Sequence, residues 1–117
     1  MIEIQLQGIV LKNGKVSISD SIVSVCIKGH AQQSIRGNDV VCAGVSALSQ
    51  SVAMALEYYT IVQSISQQAG KLEFAVDISS LNDIQRLQCE SIISVFIIGI
   101  NEIKKQYNEY IAIYSKE

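Results

Sequence analysis

Gly29-His30-Ala31-Gln32-Gln33-Ser34-Ile35-Arg36-Gly37-Asn38-Asp39-Val40-Val41-Cys42-Ala43-Gly44-Val45-Ser46 is the stretch on which the reading of this chain turns. Upstream of it apolar residues alternate, the period of a strand; downstream they recur at helical spacing. A strand therefore hands over to a helix here, and such ends meet at one edge of an α/β layer. The stretch also carries the single histidine of the chain and one of its three cysteines.

The helix is predicted over 37–59. Asn38 or Asp39 serves as its N-cap, and Val41, Val45, Leu48, Val52 and Leu56 form its apolar stripe. Upstream, Ile2, Ile4 and Leu6 alternate with polar residues. Lys12-Asn13-Gly14-Lys15 is a hairpin signal, because Asn-Gly accepts the positive φ of a type I′ turn. A two-residue loop there pairs Leu11 with Val16, Ile9 with Ile18, Ile4 with Val23 and Ile2 with Val25. The apolar parity of both strands switches near Gly8 and Asp20. The hairpin tip is therefore expected to bury its other face, against a partner subunit or a strand crossing the sheet.

Downstream, 60–65 reads as a strand, and Gln67-Gln68-Ala69-Gly70 turns into the alternation Leu72, Phe74, Val76, Ile78. Ser79 or Ser80 is expected to cap a second helix buried along Ile84, Leu87, Ile92, Val95, Phe96 and Ile103. A strand at 110–114 closes the chain. The order ββαββαβ gives an α+β fold: two layers, a mixed five-stranded sheet with two helices on one face. Residues 1–117 are read as one domain, which suits the length.

Hydrophobic residues make up 49% of the chain and charged ones 17%, below the roughly 25% usual for soluble proteins. Apolar surface is expected to remain once the core is filled, and a homodimer would cover it. The net charge of −2 and the scattered basic residues point away from nucleic-acid or membrane partners. The N-terminus carries no secretory pattern, and the longest apolar run, 92–100, is short of the ~20 residues that span a bilayer. Three cysteines without an export signal suggest free thiols in a reducing cytoplasm.

Cys42 and His30 are the minimum kit for a thiol nucleophile. Read about one turn into the helix, Cys42 would lie near free amides and the positive dipole end that favour a thiolate. Cysteine is also a common small core residue, and a lone histidine is often incidental. Asp39 either orients His30, as a third triad member does, or caps the helix. Ser46, one turn beyond Cys42, either bonds the thiolate or packs. The amides of 39–42 are candidates for an oxyanion hole. The segment Gln32-Gln33-Ser34-Ile35-Arg36 is polar, like a binding loop. Zinc is disfavoured: on a strand, Cys26 and His30 would lie ~13 Å apart, whereas two ligands of one zinc lie within ~4 Å. Cys26 and Cys89 read as core. No phosphate-loop or dinucleotide glycine pattern occurs, so no metal or cofactor is expected.

Gly29-His30-Ala31, with Gly37, Asp39, Val41-Cys42-Ala43 and Val45-Ser46-Ala47, resembles the signature of the ribosomal-processing cysteine protease Prp (YsxB-like) family. Chain length and element order fit as well. The resemblance implies a small cytoplasmic bacterial endopeptidase, usually a homodimer. It implies removal of an N-terminal extension from the large-subunit ribosomal protein L twenty-seven, beside aromatic residues of that extension, in support of ribosome assembly. By motif match Cys42 is the nucleophile and His30 the general base. Ala31, Gln32, Gln33, Ser34, Ile35, Arg36 and Gly37 match a substrate-binding segment beside the active site. The competing reading is a non-catalytic, dimeric, ribosome-associated binding module with a buried Cys42.

Overall fold

Nine main elements follow from the apolar patterning. They are β1 (Ile2–Gln7), β2 (Ile9–Lys12), β3 (Lys15–Ile18), β4 (Ile22–Lys28), α1 (Arg36–Tyr58), β5 (Ser64–Gln68), β6 (Lys71–Asp77), α2 (Asp83–Gln106) and β7 (Ile111–Lys116). The computed structural model describes residues 1–29 and 36–116, with the backbone alone for 36–39. Five strands form a mixed sheet in the order β5-β6-β4-β1-β7, antiparallel except for the β1–β7 pair. One face carries the buried side chains Ile2, Ile4, Val23, Val25, Phe74, Val76 and Ile111. Both helices lie on that face, as the α+β reading expects, and Phe74 meets Phe96 of α2 edge to face at 6.4 Å.

The parity switch marks a break in the hairpin. β2 and β3 form a separate two-stranded sheet, in which Ile9 faces Ile18 and Leu11 faces Val16, as the turn requires. Below it the register differs from the expectation: Ile4 faces Ile27 and Leu6 faces Val25. The return chain loops out at Ser19–Ser21, and Ser19 N–H closes the break on the Gly8 carbonyl at 2.8 Å. Gly8 sits at φ +74°, and a Cβ there would lie 2.6 Å from the Ile22 carbonyl oxygen. The tip does bury its other face, but against α2 of the same chain rather than a partner or a crossing strand. Ile9 is buried, and Val16 and Ile18 are half-buried on the core. Arg86 of α2 pairs with Asp20 in the looped-out segment.

The α1 stripe falls where helical spacing places it, with Val41, Val45, Val52 and Leu56 buried. The helix starts at Arg36, so Asn38 and Asp39 lie in its first turn instead of capping it. Its segment Val40–Tyr58 is long and apolar enough to cross a bilayer by composition; here one side of it lies on the sheet. The C-terminus closes in a Schellman motif. Thr60 N–H bonds the Glu57 carbonyl at 3.0 Å and Ile61 N–H bonds the Leu56 carbonyl at 2.8 Å. This wrap consumes residues 59–62, which is why β5 begins at Ser64 and not at 60.

Two expectations for α2 are corrected. Its cap is Asn82, in a reciprocal capping box with Gln85. Ser79 and Ser80 instead form a short 3-10 turn closed by the Asp77 carboxylate. The buried stripe is Cys89, Ile93, Phe96, Ile97 and Ile100. Ile84, Leu87 and Val95 are 72%, 66% and 59% exposed. The helix carries two apolar stripes on opposite faces, and periodicity does not say which one meets the sheet. Gly99 decides the local packing: it lets Leu48 of α1 lie directly over α2, and Gly44 similarly faces Ile103.

Two substitutions test these backbone devices by urea denaturation. Gly8→Ala is expected to cost about 2 to 3 kcal/mol, from a left-handed φ together with a carbonyl clash. Thr60 is a β-branched residue at φ +59°. Thr60→Gly is therefore expected to stabilise the fold by about 1 kcal/mol.

Candidate active site

A cavity of about 360 Å³ opens between α1 and the β5–β6 hairpin. Cys42, Val45, Ser46, Ser49 and Gln50 line one side, the turn residues Gln67 to Leu72 the other, and Ile2, Ile27 and Gly29 the end nearest β4. Its geometry starts at Gly29. Here φ is +98° and a Cβ would lie 2.3 Å from the Met1 carbonyl oxygen. Only glycine lets the end of β4 pass so close to the start of β1. Gly29 N–H then bonds the Gly70 carbonyl at 2.9 Å, which ties the end of β4 to the β5–β6 turn. Gly29, the last described residue before His30, thus lies on the cavity rim.

Cys42 is half-buried in the cavity wall. It lies in the second turn of α1 rather than the first, because the helix begins at Arg36. The amides of 40–42 fall inside the helical hydrogen-bond repeat, so the expected oxyanion donors at 39–42 are engaged beyond the first residue. The dipole effect, strongest at the terminal turn, is correspondingly reduced. Ser46 lies one turn along on the same face, and its Oγ accepts a hydrogen bond from Gln50 Nε2 at 2.8 Å. Ser49 is buried and donates to the Val45 carbonyl at 2.6 Å.

His30 and Ala31, Gln32, Gln33, Ser34 and Ile35 lie outside the described residues, as does the Asp39 side chain. Arg36 and Gly37 belong to the backbone of α1 and not to the preceding loop. Sequence reasoning did not single out Ser49, Gln50 or the turn at 67–71. A signal for the first two was present: positions 42, 46, 49 and 50 share one helix face, and all four are polar or thiol-bearing.

The three cysteines sit in different surroundings, Cys26 and Cys89 buried and Cys42 half-buried. Cys89 is fully buried under α2; burial, then the nearby Glu90 charge, pushes its pKa from 9.0 to about 11. Cys26 lies on the sheet face away from the helices, and its pKa is raised by burial and then by Glu73. Both therefore stay protonated at neutral pH. Among the described residues no group of three His, Cys, Asp or Glu side chains is placed to hold a metal ion. A second cavity of about 160 Å³, between the hairpin, β7 and α2, is lined by apolar groups with Asn101 and Ser115. It contains no nucleophilic thiol.

A two-layer α+β fold with a half-buried thiol in the wall of a cavity beneath a helix defines a class of small thiol proteins, and comparison with known proteins narrows it. The family model for the cysteine protease Prp matches residues 9–112. The ribosomal processing protease Prp of Staphylococcus aureus, solved with a substrate peptide, is 24% identical with a TM-score of 0.71, covering 99% of this chain and 100% of that one. The same protease with a covalently linked product peptide aligns at 26% identity and a TM-score of 0.69, over 99% and 100% of the two chains. A Streptococcus mutans protein aligns at 23% identity and a TM-score of 0.68, over 100% and 96%. No curated protein matches significantly. The chain belongs to the Prp family and is a cysteine protease; the binding-module reading is set aside.

Two outcomes follow from the thiol environments. Iodoacetamide at pH 7.5 is expected to label Cys42 alone in the folded protein and all three thiols in denaturant, read by intact mass. Cys89 binds its proton more tightly in the folded than in the unfolded chain, so stability is retained below pH 9 and lost as pH rises through 11. The loss across that window is about 2 to 3 kcal/mol, measured by denaturant titration at both ends.

Proposed function

We propose that this protease is a cytoplasmic ribosomal-processing endopeptidase that removes the N-terminal extension of the large-subunit protein L twenty-seven. The observation that carries the reading is that the single half-buried thiol, Cys42, lines a cavity of about 360 Å³ in a Prp-family chain. Cys42 and His30 form the catalytic dyad. The Cys42 thiolate attacks the scissile carbonyl carbon and forms a C–S bond. As the tetrahedral intermediate collapses, the C–N bond breaks and His30 gives its proton to the leaving amine. Water then attacks the thioester while His30 accepts its proton. The C–S bond breaks, releasing the carboxylate product and restoring the thiolate. The covalently linked product captured in the S. aureus relative is in keeping with a nucleophile of this kind.

The enzyme works as a homodimer in this proposal. The outward stripe of α2, Ile84, Leu87, Val95 and Ile98, is exposed and interrupted by Ser91, and an apolar face of this kind is best covered by a second copy.

Mass spectrometry of host L twenty-seven after incubation with the protease tests the reading. A single N-terminal cut is expected with the wild type and none with Cys42→Ala, while both give the same thermal melt, since alanine suits a helix. Cleavage by Cys42→Ala at the wild-type rate would overturn the mechanism. For the dimer, Ile98→Glu is expected to sediment as a monomer at concentrations where the wild type sediments as a dimer.

A further inference from the structure

The outer edge of β5 is unusually open. Natural edge strands are blunted by charged side chains, proline, bulges or a covering element, because unpaired peptide groups invite another strand. β5, Ser64-Ile65-Ser66-Gln67-Gln68, has no charge and no proline, and all five residues are exposed. The opposite edge, β7, ends on Lys116. The two-residue loop Ala69-Gly70 closes on the pair Gln68↔Lys71, followed by Ser66↔Glu73 and Ser64↔Ala75. In such a hairpin these are the hydrogen-bonded pairs. The peptide groups of Ile65 and Gln67 therefore point away from β6, two residues apart along the free edge.

That edge runs into the active-site cavity. Gln67 and Gln68 belong both to β5 and to the cavity lining, across from Cys42, Ser46 and Gln50. Leu72, the cross-strand partner of Gln67, is buried and also lines the cavity, which places the Gln67 side chain on the helix side of the sheet. We infer that the substrate backbone docks as a sixth strand on β5, hydrogen-bonded to the outward N–H and C=O of Gln67 and Ile65. Alternate substrate side chains then face α1 across the cavity, and the strand delivers its scissile carbonyl to Cys42. Backbone pairing supplies affinity independent of side chains, and the cavity supplies selectivity at alternate positions. The occupant is an extended polypeptide rather than a second copy, because the edge is continuous with the thiol-bearing cavity. This rests on Cys42 being the nucleophile but not on which protein is cut.

The test compares Cys42 labelling by an acetyl-tetrapeptidyl chloromethyl ketone ending in phenylalanine with labelling by iodoacetamide, each rate divided by that for N-acetylcysteine. The wild type is expected to prefer the peptidyl reagent. Gln67→Pro removes only an outward N–H, which an edge strand tolerates, and is expected to lose about five- to tenfold of that preference. The preference is taken against each variant's own iodoacetamide rate, so a change in thiol reactivity cancels, and Gln67→Ala, which retains the N–H, is expected to lose less of it than Gln67→Pro. Independently of any variant, N-methylation of the reagent at alternate amides is expected to weaken labelling of the wild type. The proposal is overturned if Gln67→Pro keeps the preference, if Gln67→Ala loses as much, or if N-methylation has no alternating effect. It is equally overturned if Gln67→Pro sediments as a monomer with peptidyl labelling intact, which would assign the edge to a second copy. A wild type that shows the preference yet leaves L twenty-seven uncut would refute the substrate assignment alone.

Discussion

The contact on which the arrangement depends is the passage of Gly29 beneath the carbonyl of Met1. With a Cβ only 2.3 Å from that oxygen, no other residue lets β4 end where it does. β4 is the central strand, paired to β1 on one side and β6 on the other, so its end point sets the end of the whole sheet. The same residue bonds the Gly70 carbonyl and so fixes the β5–β6 turn against the strand end. The cavity is what remains between that anchored turn and the first turns of α1. A steric constraint at one backbone position thus creates the space in which a thiol becomes accessible.

Three cysteines show how environment separates chemistry from packing. Cys89 is enclosed by the helix–sheet interface, Cys26 is covered on the opposite sheet face beside Glu73, and both are held in the neutral form. Cys42 shares a helix with buried Val41 and Val45 but faces the cavity. The side of α1 bearing Cys42, Ser46 and Gln50 faces the cavity beside the β5–β6 turn. A helix placed over the middle of the sheet would bury that face and leave the thiol inert. The enzyme's chemistry therefore depends on the cavity left beside this face of α1, while the helix packs on α2 with Leu48 against Gly99.

Much of this architecture is legible in the chain. The Asn13-Gly14 turn, the α1 stripe, the β6 alternation and the matched parity switch near Gly8 are local signals, each written in neighbouring residues with a fixed period. The switch correctly announced that the hairpin tip buries its other face. What it does not contain is the identity of the covering surface, because α2 lies far away in sequence. Cys42 was legible as a candidate from its residue type and position, whereas Ser49, Gln50 and the turn at 67–71 join the site only when α1 and the hairpin are brought together.

By itself, then, the sequence determined the element types, the hairpin turn, the α1 core face and the thiol worth watching, because short-range sterics and hydrophobic period act within a few residues. Tertiary structure alone decided the four-residue register jump between Gly8 and Ile22, the choice of Phe96 over Val95 as an α2 core residue, and the cavity facing Cys42. Each of these is a competition between surfaces of similar apolarity. Such a competition is settled by which surface finds a complementary partner, and that partner is always an element distant in the chain.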